Sequence, residues 1–70
     1  MAIVKPYQGR APKLEGPAFV AETAAIVGDV TLKRGTSVFY SAVLRADSGS
    51  ITVGENTNIQ DGAVLHTAAA

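Results

Sequence analysis

Aliphatic residues recur at a spacing of six: Val20, Ile26, Leu32, Val38 and Leu44, and again Val53, Ile59 and Leu65. Two positions before each stands a small or β-branched residue: Ala18, Ala24, Val30, Thr36 and Ala42, then Ile51, Thr57 and Ala63. A helix buries positions three and four apart, and a half-buried strand alternates without resetting. A period of six with pairs two apart predicts short strands with a corner in every unit. Three such units close one triangular coil of a parallel β-helix. Both members of each pair point inward, because side chains alternate along a strand. The smaller sits near the corner, where bulk does not fit. Coils of this kind are stable only when stacked on one another. The expected fold is all-β, a hexapeptide-repeat solenoid of about three coils over residues 18–70.

Residues 1–17 do not follow the period. Pro6, Pro12 and Pro17 with Gly9 and Gly16 predict a short strand at Ile3-Val4 and then an irregular arm. The step from Leu44 to Val53 is longer than six and places an insert at Ser48-Gly49-Ser50. Gly28, Gly35, Gly54 and Gly62 fall at expected corners, where a positive φ is useful.

The residue after each inward aliphatic must face outward. Arg45, Gln60 and His66 hold such positions. Faces repeat every third unit, so Leu44 and Leu65 share a face in adjacent coils. Arg45 and His66 are then stacked neighbours, about 4.8 Å apart along the sheet. Asp47 ends the strand that carries Arg45. Gln60 lies on the preceding face, with Asp61 at the corner leading round to His66. Tyr40 also faces outward, and Phe39 marks a bulky face position. Read from the pattern alone, Arg45 and Asp47 fit a structural ion pair as well as a site. Gln60 and Asp61 fit corner hydrogen bonding, and His66 fits an ordinary surface histidine.

Composition narrows the chemistry. The net charge is zero, from six basic and six acidic residues, and no Lys or Arg cluster suggests a nucleic-acid partner. There is no cysteine, hence no disulfide and no thiolate metal site. That absence, with a start too interrupted for a signal peptide, leads us to expect a cytoplasmic protein. No apolar run approaches a membrane span. No phosphate-loop motif is present, and Ser, His and Asp occur without a spacing that supports a hydrolase triad.

The segment "SAVLRADSGSITVGENTNIQDGAVLHT" resembles the γ-class carbonic anhydrase family. That family's pattern is VLRxD, a short insertion, then IxxGxxxNxQDxxxxH. This chain supplies Leu44-Arg45-Ala46-Asp47, Ile51, Gly54, Asn58, Gln60-Asp61 and His66 in that order. The resemblance implies a left-handed β-helix, a homotrimer, and zinc or iron held by three histidines at the subunit interface. It implies reversible hydration of CO2 to bicarbonate, because an open metal site lowers the pKa of bound water to about 7. His66 matches the first metal histidine. Gln60 matches the residue that orients metal-bound hydroxide. Arg45 and Asp61 match groups that position bicarbonate, and Arg45 with Asp47 matches an inter-subunit ion pair.

The family's other two metal histidines lie beyond the position of His66, and this chain has one histidine. The chain is therefore expected to be an incomplete or inactive form, with a last coil whose open edge favours self-association. Two other readings share the hexads: a structural or assembly module without catalysis, and a hexapeptide-repeat acyltransferase. A histidine on a flat face, rather than on a protruding loop, argues against the latter.

Overall fold

The computed structural model describes residues 2–68. They form β1 (Ile3–Lys5), β2 (Lys13–Leu14), β3 (Phe19–Val20), β4 (Ala25–Leu32), β5 (Ser37–Val38), β6 (Val43–Val53), β7 (Asn58–Ile59) and β8 (Val64–His66). All pairings between these strands are parallel, and the chain is a left-handed parallel β-helix. One sheet runs β1-β4-β6-β8, with β2 also on β4, and the other runs β3-β5-β7. No helix among the described residues is long and apolar enough to cross a membrane.

The period of six sets the register. Val20 pairs with Val38 and Val38 with Ile59, while Ile26 pairs with Leu44 and Leu44 with Leu65. Each inward aliphatic therefore lies on its copy in the next coil. Ile26, Leu32, Val38 and Leu44 are fully buried, with Ala24, Val30, Thr36 and Ala42 beside them. Burying each large aliphatic side chain contributes about 1.5–3 kcal/mol. Thr36 is the one polar member of this interior among the described residues, and its hydroxyl donates to the Lys33 carbonyl at 2.9 Å.

Two of the small positions expected inside, Ala18 and Thr57, are exposed. They belong to the first and last coils, where one side of the coil has no strand stacked on it among the described residues. Ile59 and Leu65 are only half-buried for the same reason. The corner expectation also needs one correction. Gly28, Gly35 and Gly62 do adopt positive φ, but Gly54 does not. The left-handed residue of that corner is Asn56, φ 59°, stacked over Gly35, and its N–H donates to the Arg34 carbonyl at 3.0 Å. Asparagine tolerates this conformation better than other residues with a side chain.

The arm adds strands to the solenoid. β1 pairs with the start of β4, and β2, which the sequence pattern does not mark, pairs with its end. The first complete coil advances 18 positions, from Phe19 to Ser37, and the next 21, from Ser37 to Asn58. The difference is the Ser48-Gly49-Ser50 insert. It lies within β6, where the register passes directly from Gly28↔Ala46 to Val30↔Ile51.

Candidate functional site

Arg45 and His66 are direct partners in the parallel ladder of β6 and β8. Their inward neighbours Leu44 and Leu65 anchor both strands, so both side chains emerge on the outer face. Asp47 lies two residues along from Arg45 and so projects to the same side. Its carboxylate accepts from the His66 Nε2 at 3.1 Å through Oδ1, and Oδ2 lies 3.4 Å from the Arg45 Nη1. Asp47 thus sits between an imidazole and a guanidinium, and all three come from one chain.

The partial burial of the Asp47 carboxylate opposes its ionisation. The hydrogen bond from His66 and the positive charges of His66 and Arg45 outweigh that opposition and hold its pKa below the ordinary 3.8. A carboxyl group with a depressed folded pKa favours the folded state above its unfolded pKa and loses that contribution as pH falls through the folded value. Asp47→Asn should therefore be less stable than the parent at neutral pH. The gap should close as the pH is lowered past 3.8. Urea denaturation of both proteins across that range measures it; a gap that stays constant would mean the carboxylate is not paired in solution.

Gln60 and Asp61 lie one face earlier, just after β7. Two backbone hydrogen bonds hold their turn, Gly62 N–H to the Tyr40 carbonyl at 2.9 Å and Ala63 N–H to the Gln60 carbonyl at 3.2 Å. Both side chains are exposed. Among the described residues no hydrogen bond or ion pair joins either of them to Arg45, Asp47 or His66. Of the five residues singled out from the sequence, the structure brings three together and leaves two on the adjoining face. Phe19, Phe39 and Tyr40 form an aromatic cluster on that adjoining face, with ring centroids 5.3 Å (Phe19–Phe39) and 6.0 Å (Phe19–Tyr40) apart.

The sequence pattern does not reveal the residues that hold the insert. The Ser48 N–H donates to the Thr67 Oγ1 at 3.3 Å, and the Ser48 hydroxyl donates to the Thr67 carbonyl at 3.2 Å. On the other side the Ser50 hydroxyl donates to Asp29 at 2.7 Å, and Arg10 from the arm lies 3.7 Å from the same carboxylate oxygen. The insertion itself is visible in the sequence as a broken period, but its partners in the coils on either side are not.

The donor set of this chain does not by itself fit a three-histidine metal centre. Among the described residues no three of His, Cys, Asp and Glu come together to hold a metal ion. Asp47 takes up the Nε2 of the single imidazole, and Nδ1 has no hydrogen-bond partner among the described residues.

The motif, the coil and the cluster on its outer face define the class, a hexapeptide-repeat β-helix of γ-carbonic anhydrase type. The chain is 49% identical over 59 residues to "Gamma carbonic anhydrase 3, mitochondrial" of Arabidopsis thaliana, covering 84% of this chain and 23% of that protein. It is 36% identical over 64 residues to "Carbonic anhydrase" of Geobacillus kaustophilus (strain HTA426), covering 91% of this chain and 35% of that protein. The same identity and span relate it to "Uncharacterized transferase YtoA" of Bacillus subtilis (strain 168), of which 37% is covered. No family model matches the chain, and no solved structure does. The chain is γ-carbonic anhydrase-like over most of its own length, and it spans about a quarter to about a third of the length of these relatives.

Proposed function

We propose that this chain forms one wall of a γ-carbonic anhydrase-type site for the hydration of CO2. The observation that carries the reading is the cluster of Arg45, Asp47 and His66 on one outer face, in a chain similar to carbonic anhydrases over most of its length. His66 supplies one imidazole of a zinc or iron site, and the remaining donors come from residues outside this chain. Arg45 supplies positive charge for a bicarbonate anion. Gln60 and Asp61 border the same space from the neighbouring face, with the amide able both to donate and to accept hydrogen bonds. In this reading the protein works in the cytoplasm as a lyase.

The proposal includes a homotrimer with the site between subunits. Ile3, Ala25, Val43 and Val64 form one aligned column across β1, β4, β6 and β8. It runs beside the column that holds Arg45 and His66, two residues away along each strand and on the same side. Ile3 is 53% exposed and Val64 69%, which supports burial of this apolar column against a second copy. In such a contact Arg45 and Asp47 can exchange their intrachain pairing for one between subunits. A second reading, acyl transfer, is favoured by one observation, the transferase name of the Bacillus relative.

A graft tests the main reading. Residues 1–68 of this chain are joined to the part of the Geobacillus carbonic anhydrase that follows the matched segment. Folding of the product is verified by circular dichroism, and CO2 hydration is followed by stopped flow. The folded graft should hydrate CO2, and His66→Ala in the graft should remove the activity. A folded graft that is inactive, or one whose activity survives His66→Ala, contradicts the proposal.

A further inference from the structure

Without the insert, the register Gly28↔Ala46 would continue and set Asp47 directly beside Asp29. Two carboxylates at adjacent ladder positions repel each other. With the insert, Asp29 faces four residues, Asp47 to Ser50, before the register resumes at Val30↔Ile51. Ser50, from the insert above it, and Arg10, from the arm below, then satisfy Asp29, at 2.7 Å and 3.7 Å. Asp47 is left to turn toward the next coil, where His66 lies.

The upper side of the insert is held by one residue. Thr67 receives the Ser48 N–H on its hydroxyl and the Ser48 hydroxyl on its carbonyl, while its own N–H donates to the Arg45 carbonyl at 3.2 Å. A Cβ on Gly49 would stand 3.3 Å from the Cβ of Thr67, so the lack of a side chain there lets Thr67 close on the insert. Thr67 is the chain neighbour of His66 and Ser48 that of Asp47. The paired contacts between Ser48 and Thr67 therefore fix the separation of the two residues whose side chains meet at 3.1 Å.

We infer that Ser48 and Thr67 are positioning residues: they clamp the insert so that Asp47 holds the His66 imidazole in one orientation. The clamp stands on the geometry alone. Its consequence for chemistry rests on the function proposed above, in which a correctly turned imidazole is needed. A ring held by a carboxylate on one nitrogen has a fixed orientation and loses less freedom when it acts.

The test reads ring orientation in the 70-residue chain and needs no activity. The nuclear Overhauser contacts between the His66 ring protons and the Asp47 Hβ protons report the pairing. The backbone contacts between Arg45 and His66 report the strand register. In the parent both sets should be present. Thr67→Val, which keeps shape and removes the hydroxyl, should lose the ring contacts and keep the backbone contacts. Thr67→Ser should restore the ring contacts. Ser48→Ala, a milder change that leaves the backbone N–H in place, should weaken them, and it serves if Thr67→Val does not fold. Ring contacts that persist at parental strength in a folded Thr67→Val or Ser48→Ala protein overturn the inference. A merely structural role for Thr67 would lower stability and leave the ring contacts unchanged. Failure of the graft to hydrate CO2 would strike the functional reading and leave this result standing.

Discussion

Leu44→Ala should cost about 3 kcal/mol of folding free energy, in the range measured for removing a leucine from a packed interior. Leu44 is fully buried and lies in register between Ile26 and Leu65, so truncating it opens a gap in the middle of the stack. The surrounding coils cannot collapse into the gap without breaking the ladder that fixes their separation. A domain near 70 residues draws only about 3–5 kcal/mol of net stability from its core, so this variant should stand at the edge of folding. Its thermal midpoint should fall by roughly 12–24 °C, given about 4–8 °C per kcal/mol for a domain of this size. Leu65→Ala removes the same atoms from a half-buried position in the last coil and should cost about 1 kcal/mol, in proportion to the smaller apolar area it returns to water. Circular dichroism melts of the two variants measure the difference. Equal losses would contradict the account, because the interior would then not be graded from the middle of the stack to its ends.

Gly28→Ala is the second large effect, and it arises from the backbone. Gly28 has φ +83°, a conformation that costs a residue with a Cβ about 1–2 kcal/mol. The added Cβ would also overlap the carbonyl oxygen of Ala46 and lie 2.9 Å from its carbonyl carbon. Both atoms are backbone of the neighbouring coil, and Ala46 is itself buried, so no side chain can swing aside. Crowding of this kind adds about 1–3 kcal/mol, and the total is about 2–5 kcal/mol. Gly62→Ala provides the control. Gly62 has φ +72°, and a Cβ there meets nothing within 4 Å. It should cost only the conformational part, about 1–2 kcal/mol. If Gly28→Ala melts no lower than Gly62→Ala, the contact between β4 and β6 at Ala46 is looser than described. Because Ala46 precedes Asp47, a folded Gly28→Ala protein should also show a disturbed Asp47–His66 pair.

Much of this architecture was legible in the sequence because it rests on periodicity. The spacing from Val20 to Leu65 defines the inward columns, and the outward position of the next residue follows from strand alternation. The pairing of Arg45 with His66 follows from counting faces, since the three inserted residues lengthen the coil between them without adding a face. The ends of the stack were less legible. Ala18 and Thr57 obey the repeat and are still exposed, because burial depends on a neighbouring coil that no local pattern reports. Gly54 was expected to take the left-handed corner that Asn56 takes, since either residue type suits such a turn and only the register decides between them. The link from Asp47 to His66 was the least legible feature. It depends on how three inserted residues fold back within β6, and on Ser48 and Thr67 meeting across 19 positions of sequence.

In the function proposed above, His66 on this face is one donor of a metal site whose other donors lie outside the chain. The most direct measurement is the zinc content of the folded graft with the Geobacillus sequence, taken after removal of free metal and compared with the same graft carrying His66→Ala. The expected result is bound zinc in the first and its loss in the second. Equal zinc in both would contradict it, and would leave the Arg45, Asp47 and His66 cluster as a structural tie between two coils.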